Sequence, residues 1–309
     1  MKTESELLHF YNSTLKNLLE PLEKYRVDQL EKIKKYFFLS LPFILTIIAG
    51  IVIKSKITVI ASTACSILFI SLSLNELTEM VSYLKKHFKY KIMSEIMYFL
   101  FDDYEYIPNQ KISKSVLDKS MLIPTFTTSV DGEDFMRFKI GETHIMFCET
   151  FTYSFKNEVS FEGLFISATF NKKFKTQTFV IHKNYFKSLL YAPKFSTINL
   201  EKIKLEDIAF NNEFQTLSTD QVEARYILTP SLMQRILDYK KKTGKNISLS
   251  FVENRLYCII PKFSNHFEPA IFRPFDFEFI KYTCEPLKLY TDLVEDLNLN
   301  LRIWTKVEE

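Results

Sequence analysis

Two apolar runs set the plan of this chain: Tyr36–Ile53 (YFFLSLPFILTIIAGIVI) and Ile57–Leu74 (ITVIASTACSILFISLSL), separated only by Lys54-Ser55-Lys56. Neither run contains a charged residue. As helices, each reaches roughly 27 Å, close to the ~30 Å hydrocarbon core of a bilayer. The first holds twelve Leu, Ile, Phe or Val residues, which favours insertion by on the order of 4–7 kcal/mol. The second is diluted by serine and threonine and is expected to enter as a hairpin with the first. Thr58, Ser62 and Ser66 recur every four residues, a small-residue stripe on which the first helix can pack near Thr46 and Gly50. The competing reading is a pair of helices buried in a large soluble protein.

Helical periodicity flanks the hairpin on both sides. Leu8, Leu15 and Leu22 repeat at seven, as do Tyr11, Leu18 and Tyr25, which predicts a heptad seam in an arm spanning 1–35. Pro21 is expected to kink or divide that arm. After the second span, Leu77, Val81, Leu84, Phe88, Ile92, Ile96 and Phe99 predict a juxtamembrane helix over 75–103. The two arms are expected to leave the hairpin (36–74) as an antiparallel stalk. The alternatives are arms lying flat on lipid or arms pairing with a second copy.

Beyond residue 104 the period changes. Strands are expected at Phe135–Lys139, Thr143–Ser154, Phe161–Phe170, Thr178–His182, Asn246–Val252 and Arg255–Pro261, with turns at Gly141-Glu142, Asn171-Lys172-Lys173 and Glu253-Asn254. A short helix is expected within ISKSVLDKSM, between Pro108 and Pro124. Ser218 with Gln221 has capping-box form. Thr229-Pro230 opens a helix that Lys240, Lys241 and Lys242 favour at its C-terminus and Gly244 ends. A last amphipathic helix covers about 286–297. Antiparallel strands with segregated helices predict an α+β domain over 104–309.

Composition adds sidedness and exclusions. Arg26, Lys32, Lys34 and Lys35 precede the first span, Lys85, Lys86, Lys89 and Lys91 follow the second, and the tip carries only Lys54 and Lys56. That excess favours both termini in the cytoplasm, with these lysines at the membrane interface. No cleaved signal peptide is expected, because some 35 polar and amphipathic residues precede the first run. A net charge of +3 without a basic stripe in the large domain argues against nucleic-acid binding. Four cysteines and five histidines are scattered, so neither a disulfide framework nor a metal or cofactor site is implied. His144 and Cys148 share a strand face, but two ligands make no site. The thirty Phe and sixteen Tyr suit a β-rich core. Hydrolase, zincin, Walker and dinucleotide-loop motifs do not occur, and five glycines leave little for phosphate cradles.

The stretch Phe210–Pro230 (FNNEFQTLSTDQVEARYILTP), with FEGLF at Phe161–Phe165, the acidic-to-strand region Asp131–Glu149, FEP at Phe267–Pro269 and LNLRIW at Leu299–Trp304, resembles the bacterial domain-of-unknown-function family 3137. The resemblance extends over most of 100–304 and implies a two-span membrane protein with a C-terminal soluble domain. It supplies no catalytic residue.

Two clusters carry candidate chemistry. Asp131, Gly132, Glu133 and Asp134 offer oxygen ligands to a cation or charge to a basic partner, although acidic residues at a turn before a strand are routine. Asp220, Glu223, Arg225 and Tyr226 can grip a ligand or simply cap and buttress a helix. Glu268 and Glu162 form an acid/base pair only if folding joins them. The expectation is a bacterial inner-membrane, multi-pass, non-enzymatic binding or scaffold module facing the cytoplasm. Its partners are the lipid bilayer and a protein partner or second copy held through the helical arms. The alternatives are a membrane-tethered enzyme acting on a membrane-proximal substrate and a lipid or peptide sensor.

Overall fold

The computed structural model describes residues 2–123, 127–141, 143–156, 158–169, 174–185, 198–261 and 267–296. Pro124, Glu142, the Asn171-Lys172-Lys173 turn, the last residue of Phe161–Phe170, the end of the 286–297 helix and Leu299–Trp304 lie outside them. The chain forms two compact units, one of residues 2–96 with 267–283 and one of the described residues from 97 to 261 and from 284 to 296.

The first unit is helical. Thr3 caps α1 (Glu4–Phe10) in a reciprocal capping box with Glu6. A wide π-type turn, Tyr11–Leu15, joins it to α2 (Lys16–Val52), which runs unbroken through Pro21 and Pro42. After the tip, α3 (Lys56–His87) returns, followed by a second wide turn, Phe88–Met93, and α4 (Ser94–Leu100). The helices α2 and α3 lie antiparallel: Thr46 Oγ1 donates to Ser62 Oγ at 2.8 Å, Ser73 Oγ to the Ile33 carbonyl at 3.4 Å, and the Tyr25 and Tyr83 rings are 4.3 Å apart.

Around the hairpin, burial is inside out. Ser40, Gly50, Ser62 and Ser66 are buried, whereas Phe37, Phe38, Leu45, Ile48, Ile51, Ile57, Ile60, Ile67 and Leu68 are exposed. A Cβ on Gly50 would come 2.9 Å from Val59 Cγ2, so the close approach of the helices depends on the missing side chain. Ser62 and Ser66 of the expected small-residue stripe are thus buried, whereas its first member, Thr58, is exposed.

Farther along, the seam differs from the heptad reading. Leu15, Leu19, Leu22 and Arg26 are buried, as are Leu7 and Phe10, while Leu8 is 42% exposed. The wide turn adds a residue to one turn of helix and rotates everything before it. Pro21 causes no break.

The segment from Phe267 to Thr283, expected in the sheet domain, packs here. Arg26 donates twice to the Glu23 carboxylate, at 2.8 and 2.5 Å, and once to the Ile271 carbonyl at 3.0 Å. The Phe275 N–H donates to Glu23 at 3.0 Å, and Phe275 lies under the Arg26 guanidinium. The Phe88 ring meets Phe275 and Phe279.

The second unit holds a nine-stranded antiparallel sheet among the described residues. In chain order its strands are β1 (Tyr104–Ile107), β2 (Thr127–Ile140), β3 (Thr143–Ser154), β4 (Val159–Thr169), β5 (Thr178–His182), β6 (Glu201–Ile203), β7 (Phe214–Ser218), β8 (Ser248–Val252) and β9 (Arg255–Pro261). Across the sheet the order is β1-β2-β3-β4-β9-β8-β5-β7-β6. Strands β5 and β8 are buried at every residue and β9 at all but its ends. These strands are covered on both faces, with apolar runs in β5 and β9 and the buried serines Ser248 and Ser250 in β8. On one face Cys148, Phe161, Phe165, Phe179, Ile181, Leu217, Tyr257 and Ile259 form a core with Leu117 of α5 (Lys114–Ser120).

Further helices among the described residues include α6 (Ile208–Glu213), α7 (Gln221–Ile227), α8 (Pro230–Thr243) and α9 (Phe277–Asp296). Thr229 caps α8, Pro230 occupies its first turn and Gly244 closes it at φ 66°, as expected. Helix α7 corrects the capping-box reading: its N-cap is Asp220, which accepts from the Glu223 N–H, and Ser218 ends β7 instead. The last helix starts at Phe277, nine residues before the expected Pro286.

Candidate functional site

The acidic motif expected at a turn lies inside strand β2. Glu133 pairs in register with Glu149 of β3, and a bulge follows between Glu133 and Met136. Asp134 occupies that bulge at φ 56°, a left-handed conformation strained for a side-chain-bearing residue. The bulge gives its N–H a partner outside the ladder, the Pro108 carbonyl at 2.8 Å. The same bulge turns its carboxylate toward Tyr106 of β1, whose hydroxyl donates to Asp134 Oδ1 at 2.8 Å.

One ligand oxygen each of Glu133, Asp134 and Glu149 lies within 4.8 Å of the others, and the last two side chains are fully buried. Gly132 fits only as glycine, because a Cβ there would lie 2.4 Å from the Glu149 carbonyl oxygen. Burial, followed by the Asp134 charge and hydrogen bond, pushes the Tyr106 phenol well above its ordinary range. Burial likewise pushes the Cys148 thiol up to about 12. Its Sγ points at the Glu133 and Glu149 carbonyls, at 3.3 and 3.2 Å, and as a thiol it is a poor nucleophile.

Three converging carboxylates beside a phenol form an acceptor-rich cluster of the kind that suits a hard cation. The same groups also knit the β1–β2–β3 bulge together. Asp131 stands apart, exposed, with Lys111 at 4.0 Å.

The second predicted cluster disperses into structural roles. Asp220 caps α7. Glu223 accepts from the Lys175 N–H at 3.0 Å and Thr176 Oγ1 at 2.5 Å. Arg225 reaches Glu206 at 2.6 Å and the Lys204 carbonyl at 3.0 Å. These residues tie α7 to two neighbouring loops, the buttressing alternative of the sequence reading. Tyr226 is about half exposed. Glu162 sits on β4 opposite Phe151, exposed, and Glu268 is ion-paired with Lys85 in the helical unit.

Lys34, Lys35, Lys54, Lys56, Lys86 and Lys91 are exposed, whereas Lys89 is buried, at 2% exposure. Along an α-helix, Lys85 and Lys91 stand about 16 and 26 Å beyond Leu74. The lysines adjoining the apolar runs are therefore Lys34, Lys35, Lys54 and Lys56.

One constellation went unread in the sequence. His182, at the end of β5, is buried, and its Nδ1 accepts from the Asn184 N–H at 3.3 Å. That assigns the ring proton to Nε2, which lies 3.7 Å from Glu213 Oε2, an oxygen already engaged by Lys240. Burial, followed by the Lys240 charge and against the pull of Glu213, holds the imidazole below its ordinary value. Residues 182, 213 and 240 are joined only by strand pairing and helix packing, so no spacing rule reveals them. His144, by contrast, is exposed.

Comparison with known proteins gives a partial family-model match and a distant structural likeness. The family model described as "Protein of unknown function (DUF3137)" matches residues 159–299, the family that the motifs resemble. The match is narrower than the resemblance: Asp131–Glu149 and the end of LNLRIW lie outside it. None of the curated proteins matches the chain. Among solved structures, the crystal structure of the mycobacterial trehalose monomycolate transport factor A, TtfA, aligns with a TM-score of 0.37 at 8% identity. The alignment covers 70% of this chain and 96% of that one. A likeness so distant carries no argument about activity.

Proposed function

We propose that this chain, whose residues 159–299 match DUF3137, is a membrane-anchored, non-enzymatic binding or scaffold module. In this reading the helical hairpin crosses the bacterial inner membrane and holds the α+β unit at the cytoplasmic face. The observation that carries the reading is the inside-out hairpin. Its small groups Ser40, Gly50, Ser62 and Ser66 are buried, with the Thr46 hydroxyl bonded across to Ser62, while many of its large aliphatic and aromatic side chains are exposed. Water penalises such a surface and lipid favours it. Among the described residues, two helices are long and apolar enough to cross a membrane. Sidedness rests on Lys32, Lys34 and Lys35 outweighing the tip lysines Lys54 and Lys56.

Alkaline carbonate washing of vesicles tests the anchor, and the chain is expected to stay with the membrane. A cysteine placed at Lys54 tests sidedness: an impermeant maleimide is expected to label it in intact spheroplasts, while externally added protease spares the sheet unit. Release by carbonate rejects the anchor, and the converse labelling pattern reverses the orientation. Purification in mild detergent followed by mass spectrometry tests the scaffold role, which predicts a retained protein partner or second copy.

A further inference from the structure

The start of the N-terminal arm carries two alternative hydrophobic faces, displaced by one residue. In the structure Leu7 and Phe10 are buried and Leu8 is 42% exposed. The sequence also offers Leu8 and Tyr11 in heptad register with Leu15, Leu18, Leu22 and Tyr25. The wide turn decides between them. Its defining bond runs from the Lys16 N–H to the Tyr11 carbonyl, five residues back, and the Ser13 hydroxyl donates to the Phe10 carbonyl at 3.3 Å. Converting this turn to ordinary α-helix rotates α1 by about one residue, roughly 100°.

The sequence makes that rotation nearly neutral for burial. In LLHFY (Leu7–Tyr11), a one-residue shift exchanges Leu7 for Leu8 and Phe10 for Tyr11. Leucine replaces leucine, and one phenyl ring replaces another with an added hydroxyl. A rotation that exchanged apolar for charged residues would be blocked; this one is not.

We propose that Tyr11–Leu15 is a register switch, with α1 moving between the wide-turn state, in which Leu7 and Phe10 are buried, and an all-α state, in which Leu8 and Tyr11 replace them. The two states present different groups to the C-terminal segment packed in the same unit. In the wide-turn state Glu4 accepts from Lys281 at 3.0 Å, and the Tyr11 and Phe277 ring centroids are 5.6 Å apart. Rotation of α1 carries Glu4 away from Lys281 and turns Tyr11 into the seam. The grip on the first turns of α9 is thereby loosened. Whatever favours one register, at the membrane end or at α9, is felt at the other by linkage.

The test uses the full-length protein in detergent micelles with one added cysteine, Leu7→Cys or Leu8→Cys. Labelling by a charged maleimide is followed at each peptide by mass spectrometry. Deleting Ser13 removes the extra residue and lets a plain α-helix keep Leu7 and Phe10 in line with the seam. It is expected to slow labelling at position 7 by about tenfold or more and leave position 8 reactive, because the second state, ordinarily populated at roughly 0.1–10%, is lost. Phe10→Glu bars the wide-turn face from burial and is expected to do the converse, protecting position 8 and exposing position 7.

Unchanged labelling at position 7 after the Ser13 deletion would overturn the switch. So would acceleration at both positions in Phe10→Glu, which signifies a frayed end without a second register. If Phe10→Glu does not fold, the Ser13 deletion decides alone.

Discussion

At the scale of single residues, side chains in this protein are fixed by what a neighbour's backbone allows. Gly132 exists because the Glu149 carbonyl occupies the space of a Cβ, and that close approach brings Glu133 and Glu149 together. Buried His182 shows the opposite constraint, a group whose surroundings favour its uncharged form. The Asn184 N–H occupies its Nδ1 acceptor, and burial with the Lys240 charge lowers its affinity for a proton. The unfolded chain therefore takes up the proton first as pH falls. Stability from the neutral ring is full above the ordinary histidine value of about 6.5 and is lost as pH falls toward the lowered native value. Denaturant unfolding from pH 7.5 to 5 is expected to show a steeper acid loss for the natural chain than for His182→Gln. Equal slopes would mean that His182 does not resist protonation in the folded state.

At the scale of elements, the legible parts of the fold were those written in local chemistry. Thr143–Ser154, Thr178–His182 and Arg255–Pro261 lie where alternation or apolar runs placed them, and α8 carries the expected cap, first-turn proline and terminal glycine. Elements set by tertiary partners were not legible. β1 and β6 are only four and three residues long, too short for a period to register. The bulge at Asp134 hides Asp131–Asp134 inside a strand, where acidic residues next to glycine read as a turn. Of the candidate site, the acidic half was visible in sequence, but Tyr106 and Glu149 join it only through strand pairing.

The 267–283 segment was misplaced for a similar reason. It is held by Arg26, a residue that reads from sequence as one more basic charge near a membrane. The Arg26 guanidinium and the Phe275 N–H hold the Glu23 carboxyl below the usual carboxylate range, so the clasp acts as one charge-assisted network. Arg26→Ala leaves Glu23 without its bidentate partner. Breaking a fully buried pair in this way costs about 3–5 kcal/mol, and roughly half that is expected here because Glu23 is partly open to solvent. Limited proteolysis reads the effect directly: cleavage within 267–276 is expected to accelerate in Arg26→Ala ahead of any cleavage in β3 or β4. Simultaneous cleavage everywhere would show that the clasp is no separate element.

At the scale of the molecule, the proposed anchor raises the question of whether the arms would share in it. The arms continue the same two helices past the apolar runs, and the geometry separates a stalk from arms embedded in lipid. Ser73 reaches the Ile33 carbonyl and the Tyr25 ring packs against Tyr83, so the helices are already neighbours where the runs end. A Gly/Ser link of about four residues, roughly 10–12 Å in reach by coil dimensions, is then enough to join Lys35 to Asn75 in place of residues 36–74. The helical unit retains its seam, because Leu15, Leu19, Leu22, Met80, Leu84 and Phe88 all lie outside the deletion. The shortened chain is expected to be soluble without detergent, with helix content reduced only by the removed residues and the 267–276 segment still protected from protease. A folded product that still partitions onto vesicles would assign part of the anchoring to the arms themselves. Arms that buried their apolar seam in lipid rather than in each other would have no reason to survive loss of the hairpin, so aggregation with loss of helicity beyond the deleted residues would refute the stalk.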